Sequence, residues 1–483
     1  MTTERLDVAI LGAGSAGLSA LRAARLHTPK ARLIDPGPWG TTCARVGCMP
    51  SKLLIAAAEA AHAARHAAPF GIDVAGVSID GARVMQRVRS ERDRFVGFVL
   101  EDMHALEPEH LWRGRARFVD AHTLDIESDA GTRRVRADRI VIATGSRPDI
   151  PPGWREALGD RLIVNDDVFD WAELPRSVAV AGAGVIGLEL ALALHRLGVR
   201  VRLFARAAQV GPLTDPALAA SSAQIFAAAL PIEGEAEMLS LGRSDDGGVE
   251  LTWRTPAATR TERFDRLLCA TGRRPNIDGF GLEALAAPLG IAFGKRGVPE
   301  HDPATGRIGE THLFIAGDVA NERPLLHEAA DEGHIAGDNA GRFPQVLPHP
   351  RRTPLAVVFS EPQLMIAGQS HRALLAARTR FVLGRVSFEN QGRSRVMLRN
   401  QGALHVYACL ATRRVLGAEM IGPAAEHLGH LLAWSIGQGI TVDGALSQPF
   451  YHPVIEEGLR TALRDAKRAL DKQEICAECT PGD

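Results

Sequence analysis

The sequence predicts an α/β protein: two tandem doubly wound dinucleotide-binding domains followed by a C-terminal α+β domain. Three observations carry that reading. A glycine-rich segment occurs twice, as DVAILGAGSAG at 7–17 and as SVAVAGAGVIG at 177–187. Each is followed, in the same order, by an apolar run closing in Ala-Thr-Gly: DRIVIATGSRP at 138–148 and DRLLCATGRRP at 265–275. The 483 residues also give room for about three domains at roughly 150 each. Four matches in one order indicate an internal duplication.

Composition narrows the class. Apolar residues make up 46% and charged residues 23%, the balance of a packed globular protein. Lys and Arg total 56 against 57 Asp and Glu, so there is no bulk field for nucleic acid or an anionic membrane. No apolar run approaches the ~18 residues of a spanning helix. MTTERLDVAILGAG passes from charge into a strand without a signal-peptide pattern, so a cytoplasmic location is expected. Six cysteines in so long a chain are not a secreted disulfide framework, and paired cysteines here point to catalysis or metal binding. Only five residues are Lys against 51 Arg, so a Lys departs from the chain's habit.

Taken in order, the first unit opens with a strand ending at Gly12, Gly14 and Gly17 and runs into a helix, LSALRAARL. The GxGxxG fingerprint requires that context. Its first Gly permits the tight turn, the second lets backbone approach a pyrophosphate, and the third lets helix pack on strand. The helix then faces the phosphates with its positive end. Asp35 ends the next strand, ARLID, 23 residues after Gly12, where a carboxylate holds ribose hydroxyls. Thr144 and Gly145 close the unit, and PDIPPGWREALG has the Pro and Gly content of a linker.

The second unit repeats the turn with Gly182, Gly184 and Gly187 before LELALALHRLG, and closes at Gly272. Its ribose position, 23 residues after Gly182, is Ala205, followed by Arg206. Without a carboxylate a 2′-phosphate is not repelled, and Arg206 is placed to bind one. The reading leans to NADP and leaves NAD open, Arg206 being otherwise a surface arginine. THLFIAGDV at 311–319 is a further strand, ending at Asp318, and FPQVLPHPRRTP at 343–354 marks the next boundary. Beyond it AVVFSEPQLMIAG, FVLGRVSF, SRVMLRN and LHVYACLA read as strands, and HLGHLLAWSIGQG and PVIEEGLRTALRDAKRAL as helices. The end, DKQEICAECTPGD, has no periodicity and reads as a flexible tail.

The strongest chemical signal is WGTTCARVGCMPSK. Cys43 and Cys48 lie at the start of an Ala-rich helix, whose dipole stabilises a thiolate. A dithiol that cycles to a disulfide relays two electrons by thiol–disulfide exchange. No Cys/His pair nearby completes a zinc site, so no metal is expected. In PFYHPVIEEGLR, His452 and Glu457 put a base and a carboxylate at the front of a helix. A His held by a carboxylate is fixed in tautomer and raised in basicity, as a general base for a thiol requires. Glu456 competes for the orienting role. Cys269 and Cys409 sit in apolar runs as core residues, and Cys476-Ala-Glu-Cys479 leaves a thiol pair in the tail.

With these motifs the chain resembles the pyridine nucleotide–disulfide oxidoreductase family from about residue 5 to about 465. These are dimeric flavoproteins that include dihydrolipoyl dehydrogenase, glutathione reductase and mercuric reductase. The resemblance implies FAD at the first turn and NAD or NADP at the second. It implies that Cys48 is the thiolate against the flavin and Cys43 the sulfur that exchanges with substrate. Lys52 resembles the residue beside the flavin's reactive edge, Glu189 its partner, and Asp318 the carboxylate on a ribitol hydroxyl. Thr42, Lys52, Thr144, Gly145 and Gly272 join the two glycine triads, Asp35, Asp318 and Arg206 as the expected cofactor-binding set. The family's spacing selects Glu457 over Glu456. A homodimer is implied, with the His452 element coming from the opposite subunit.

The expected division is an FAD-binding domain at 1–150 with a return segment at 277–347, an NAD(P)-binding domain at 151–276, a dimerisation domain at 348–467 and a flexible tail at 468–483. The activity most resembled is dihydrolipoyl dehydrogenase, acting on a small dithiol/disulfide or a lipoyl-bearing protein, with no nucleic-acid or membrane partner. Mercuric reductases carry Tyr rather than His at the His-Pro element, and Tyr451 adjoins His452 here. The alternative is an NADPH-dependent reductase of a small disulfide, quinone or metal ion. A non-catalytic flavoprotein subunit is the remote one, since Cys43, Cys48, Lys52, His452 and Glu457 are all in place. The family's C-terminal thiol pairs are adjacent residues, whereas this tail spaces Cys476 and Cys479 by two.

Overall fold

The computed structural model describes residues 4–476. Strand Glu4–Leu11 lies inside a seven-stranded sheet, parallel to Ala31–Asp35 on one side and Gly131–Ile142 on the other. Val8 to Leu11 are buried, as the continuous apolar run of a central parallel strand requires. Leu313–Ile315 pairs in parallel with Gly131–Ile142, so the chain returns to this sheet after building the second unit. Helices Ser15–Ala24 and Leu326–Arg342 pack closely. A Cβ at Gly333 would lie 2.1 Å from the Ala16 carbonyl oxygen, so only glycine permits that approach.

The second unit is an all-parallel sheet of five strands, with Ser177–Ala181 between Arg200–Phe204 and Arg266–Cys269. The two Ala-Thr-Gly segments meet: Ser146–Pro148 and Arg273–Pro275 form an antiparallel ribbon where the chain passes between units. The third region is a five-stranded antiparallel sheet, in the order 355–358, 363–368, 415–422, 403–409, 381–387, with helices Ala425–Gly437 and Glu456–Lys472. Among the described residues no helix is long and apolar enough to cross a membrane.

Two expectations are corrected and one strand is added. SRVMLRN is not a strand: Gln391 caps a short helix, Gly392–Val396, by accepting the Ser394 N–H at 2.7 Å. Its apolar residues are consecutive rather than alternating, and Val396 and Leu398 stay exposed, so no sheet face holds them. Strand Val415–Gly422 was not anticipated, because two glycines and a glutamate interrupt its apolar pattern. The tail does not begin at 468. The helix runs to Lys472 on buried Ala469 and Leu470, and the Cys476 N–H then donates to the Phe381 carbonyl at 2.9 Å. Cys479 lies outside the described residues.

Candidate active site

Both glycine-rich turns are shaped by backbone contact. At Gly12 (φ +113°) a Cβ would meet the Ala143 carbonyl oxygen at 2.3 Å, and at Gly17 it would meet that of Gly12 at 1.8 Å. Gly182 and Gly187 repeat this against Ala270 and Gly182, at 2.2 and 1.8 Å. At Gly14 and Gly184 a Cβ would have nothing within 4 Å. The middle glycine of each turn therefore borders open space at a helix N-terminus, the kind of place that can receive a pyrophosphate.

Asp35 accepts the N–H groups of Ala13 (2.8 Å) and Gly37 (2.6 Å), which fixes its carboxylate beyond the first turn. In the second unit Ala205 is buried and Arg206 exposed. Thr144 donates to the Asn276 carbonyl at 2.6 Å, and the Asn276 N–H donates to the Gly145 carbonyl at 2.9 Å. Gly145 (φ +72°) and Gly272 (φ +133°) take left-handed conformations that favour glycine. Asp318 accepts the Ser146 hydroxyl at 2.7 Å. Asp318, Ser146, Gly184, Gly272 and Arg273 share the lining of a cavity of about 770 Å³.

Cys43 and Cys48 occupy the consecutive helices Thr42–Val46 and Cys48–Arg65, and both are free thiols. The Cys43 thiol hydrogen-bonds Cys48 and, with Lys52 adding its positive charge against the effect of burial, brings Cys48 down to about 7. The same bond, with burial, pushes Cys43 well above the usual thiol range. Of the two thiols, Cys48 is the one whose ionisation is favoured. Lys52 Nζ is 2.8 Å from Glu189 Oε2 and 4.6 Å from the centre of the Phe359 ring. Glu189, 4% exposed, also accepts the Phe359 N–H at 2.9 Å. One ion pair therefore joins the dithiol helix, the second unit's helix Val185–Arg196 and the third region.

His452 Nδ1 stands 3.0 Å from Glu457 Oε2, while Arg460 donates to Glu457 Oε1 at 2.8 Å. Burial opposes it, but the His452 contact and Arg460 hold Glu457 below the usual carboxylate range. Glu457, not Glu456, is therefore the carboxylate that meets His452, and the contact is made through Nδ1 of the imidazole. His452 is 80% exposed, and Glu457 is its one hydrogen-bond partner among the described residues. Among the described residues no hydrogen bond or ion pair joins His452 to Cys43 or Cys48 within one subunit.

Sequence reasoning missed Thr41, Phe359, Asn276 and Ser146. Thr41 (φ 59°), not the exposed Thr42, caps the first cysteine helix by accepting the Ala44 N–H. The TT pair left the capping residue undetermined by one position. Phe359 acts through its backbone N–H and ring, for which no motif exists. Ser146 had a signal: it is the position at which TGSRP and TGRRP differ.

Residues 6–333 match the family described as pyridine nucleotide-disulphide oxidoreductase, and 355–463 match its dimerisation domain. The chain belongs to that family. It is 31% identical to dihydrolipoyl dehydrogenase 3 of Pseudomonas aeruginosa, over 96% of this chain and 98% of the relative. It is 30% identical to a mercuric reductase of Streptomyces lividans, over 98% of each. Among solved structures, LpdA of Mycobacterium tuberculosis superposes with a TM-score of 0.80 at 25% identity, covering 96% of this chain and 99% of that one.

The family's members are enzymes that use FAD and NAD(P)H, and the dimerisation domain implies a homodimer. The residues fit both cofactors: two open middle glycines, a carboxylate beyond the first turn, and Asp318 facing the shared cavity.

Proposed function

We propose that the enzyme oxidises a dihydrolipoyl-type dithiol and passes two electrons through Cys43 and Cys48 to a nicotinamide nucleotide, as a dihydrolipoyl dehydrogenase. The observation that carries this is the 3.0 Å His452–Glu457 pair, a base fixed in tautomer at an exposed edge of the dimerisation domain. Substrate thiolate attacks Cys43 of the Cys43–Cys48 disulfide, and His452 of the partner subunit takes the substrate's proton at Nε2. The second substrate sulfur then attacks the mixed disulfide, releasing oxidised substrate, with Cys43 as thiol and Cys48 as thiolate. Hydrogen bonding from Cys43 and the charge of Lys52 hold the leaving sulfur anionic. Bound FAD supplies the two-electron carrier between dithiol and nicotinamide. The first glycine triad, Asp35 and Asp318 would hold FAD, with Thr42, Thr144 and Gly145 beside it. The second triad, Gly272 and Arg206 would hold the nucleotide.

A second reading, an NADPH-driven reductase of a small disulfide, quinone or metal ion, is favoured by Ala205 and the exposed Arg206. Steady-state turnover of dihydrolipoamide with NAD+ and with NADP+ separates the two. Rapid turnover with NAD+ is expected. Little turnover with either nucleotide, alongside rapid flavin reduction by NADPH, would establish the reductase. His452→Gln should cut dithiol oxidation by about 10²–10⁴, the usual contribution of a positioned base; a loss below about threefold would remove His452 from the mechanism.

A further inference from the structure

Glu419 is completely buried on strand Val415–Gly422, and no cationic side chain pairs with it among the described residues. Four hydrogen-bond donors among the described residues meet its carboxylate. Oε2 accepts the N–H groups of Thr214 (2.6 Å) and Asp215 (3.0 Å); Oε1 accepts the Thr214 hydroxyl and the His371 N–H (2.8 Å). A buried carboxylate is tolerated only when its acceptor sites are filled, and these four donors fill them.

The donors come from two places. Thr214 and Asp215 end the loop 205–215, which connects strand Arg200–Phe204 to helix Pro216–Ala229. His371 belongs to the dimerisation domain. Asp215 adds a second tie: Oδ1 caps its helix through Ala217 and Leu218, and Oδ2 meets His405 Nδ1 at 2.7 Å and Tyr407 Oη at 3.2 Å. At mid-loop, the Gly211 N–H donates to the carbonyl of Ala183, inside the second glycine-rich turn. The loop that begins with Ala205 and Arg206 is therefore anchored to the turn at its middle and to another domain at its end. Thr214, with Gln369 and Ser370 across the domain boundary, lines the 770 Å³ cavity.

We propose that Glu419 and Asp215 are positioning residues for the nicotinamide nucleotide, holding the 205–215 loop against the dimerisation domain so that one wall of the nucleotide site is fixed. The inference rests on reading the part of that cavity lined by Gly184, Gly272 and Thr214 as the nucleotide site. A carboxylate suits this task better than an amide. All four partners are donors, so Glu419→Gln turns an NH₂ group against at least one N–H and frees the loop end.

The test is an equilibrium titration of the oxidised holoenzyme with NADP+ and with NAD+, beside thermal melting and the KM for dihydrolipoamide. Glu419→Gln should weaken nucleotide binding by about tenfold, the scale of one buried group left unsatisfied. The loss should fall on nucleotide Kd and KM rather than on the KM for dithiol. Thr214→Val, which removes one donor, should show the same pattern at two- to fivefold and covers the case in which Glu419→Gln does not fold. Nucleotide affinity within twofold of wild type in folded variants, with only the melting temperature lowered, would overturn the proposal and leave a domain tie. Gly184→Ala is the control for the underlying reading. If it binds nucleotide as the wild type does, the cavity assignment fails; if it loses binding while Glu419→Gln keeps it, only the positioning role fails.

Discussion

The two glycine-rich turns share their strained geometry and part company where a ribose would lie. Gly12 and Gly182 have φ of +113° and +111°, and the Cβ positions of Gly17 and Gly187 both fall 1.8 Å from a carbonyl oxygen. Beyond the first turn, Asp35 is held by two backbone N–H groups; beyond the second, Ala205 offers no polar side-chain atom and Arg206 is exposed. A pyrophosphate cradle is made of backbone and can be duplicated whole. Nucleotide identity rests on one or two side chains at a strand end, which can change without disturbing the cradle.

The largest effect would break the shared part. Gly17→Ala and Gly187→Ala each drive a methyl into a carbonyl that backbone alone positions, so soluble folded protein should be lost in both, read by yield and circular dichroism. Survival of either variant with wild-type stability would show that the close approach is not required. The middle glycines sharpen the comparison instead. Gly14 and Gly184 both have φ −75° and clear space, so alanine folds at either position. Gly14→Ala should purify without flavin. Gly184→Ala should keep flavin and lose its reduction by NAD(P)H. Identical behaviour in the two variants would mean the turns are not divided between cofactors.

How much of this was legible in the sequence follows from where each signal resides. The turns were legible because a glycine forced by backbone contact leaves its mark in the sequence, and the repeat doubled it. Lys52 was legible as a rare lysine, and its 2.8 Å contact to Glu189 lies between residues 137 apart that local pattern could not have joined. Val415–Gly422 was hidden because its central glutamate, Glu419, is buried by donors from distant loops rather than by its own strand's periodicity. The start of the tail was misread because the helix runs on to Lys472 and Cys476 is held by a backbone bond to Phe381, and such bonds carry no residue signature.

A smaller effect tests the difference at the ribose end. Arg206→Ala should weaken NADP+ by about tenfold, the scale of one charge-assisted hydrogen bond, and leave NAD+ within twofold. Ala205→Glu should move preference further toward NAD+. Equal losses for both nucleotides in Arg206→Ala, or none, would make Arg206 a surface residue and remove the contrast with Asp35.

The smallest effect is read where the two units meet. Lys52 stands on the first unit's dithiol helix and Glu189 on the second unit's glycine-turn helix. Cys48 lies at about 7, lowered mainly by the Cys43 hydrogen bond and further by Lys52, while burial and the charge of Glu189 oppose. The sign follows: the thiolate forms as pH rises through about 7, and reactivity of the reduced enzyme toward iodoacetamide should rise through the same range. Lys52→Met removes the favourable charge and leaves Glu189 uncompensated, so both changes act upward. A shift of about one pH unit is the scale of one neighbouring charge, which would take the thiolate at pH 7 from roughly half to roughly a tenth. Lys52→Arg keeps the charge and should keep the midpoint. An unmoved midpoint in Lys52→Met would assign the lowered thiol to Cys43 alone, and the ion pair between the units would then be a structural tie without influence on the sulfur.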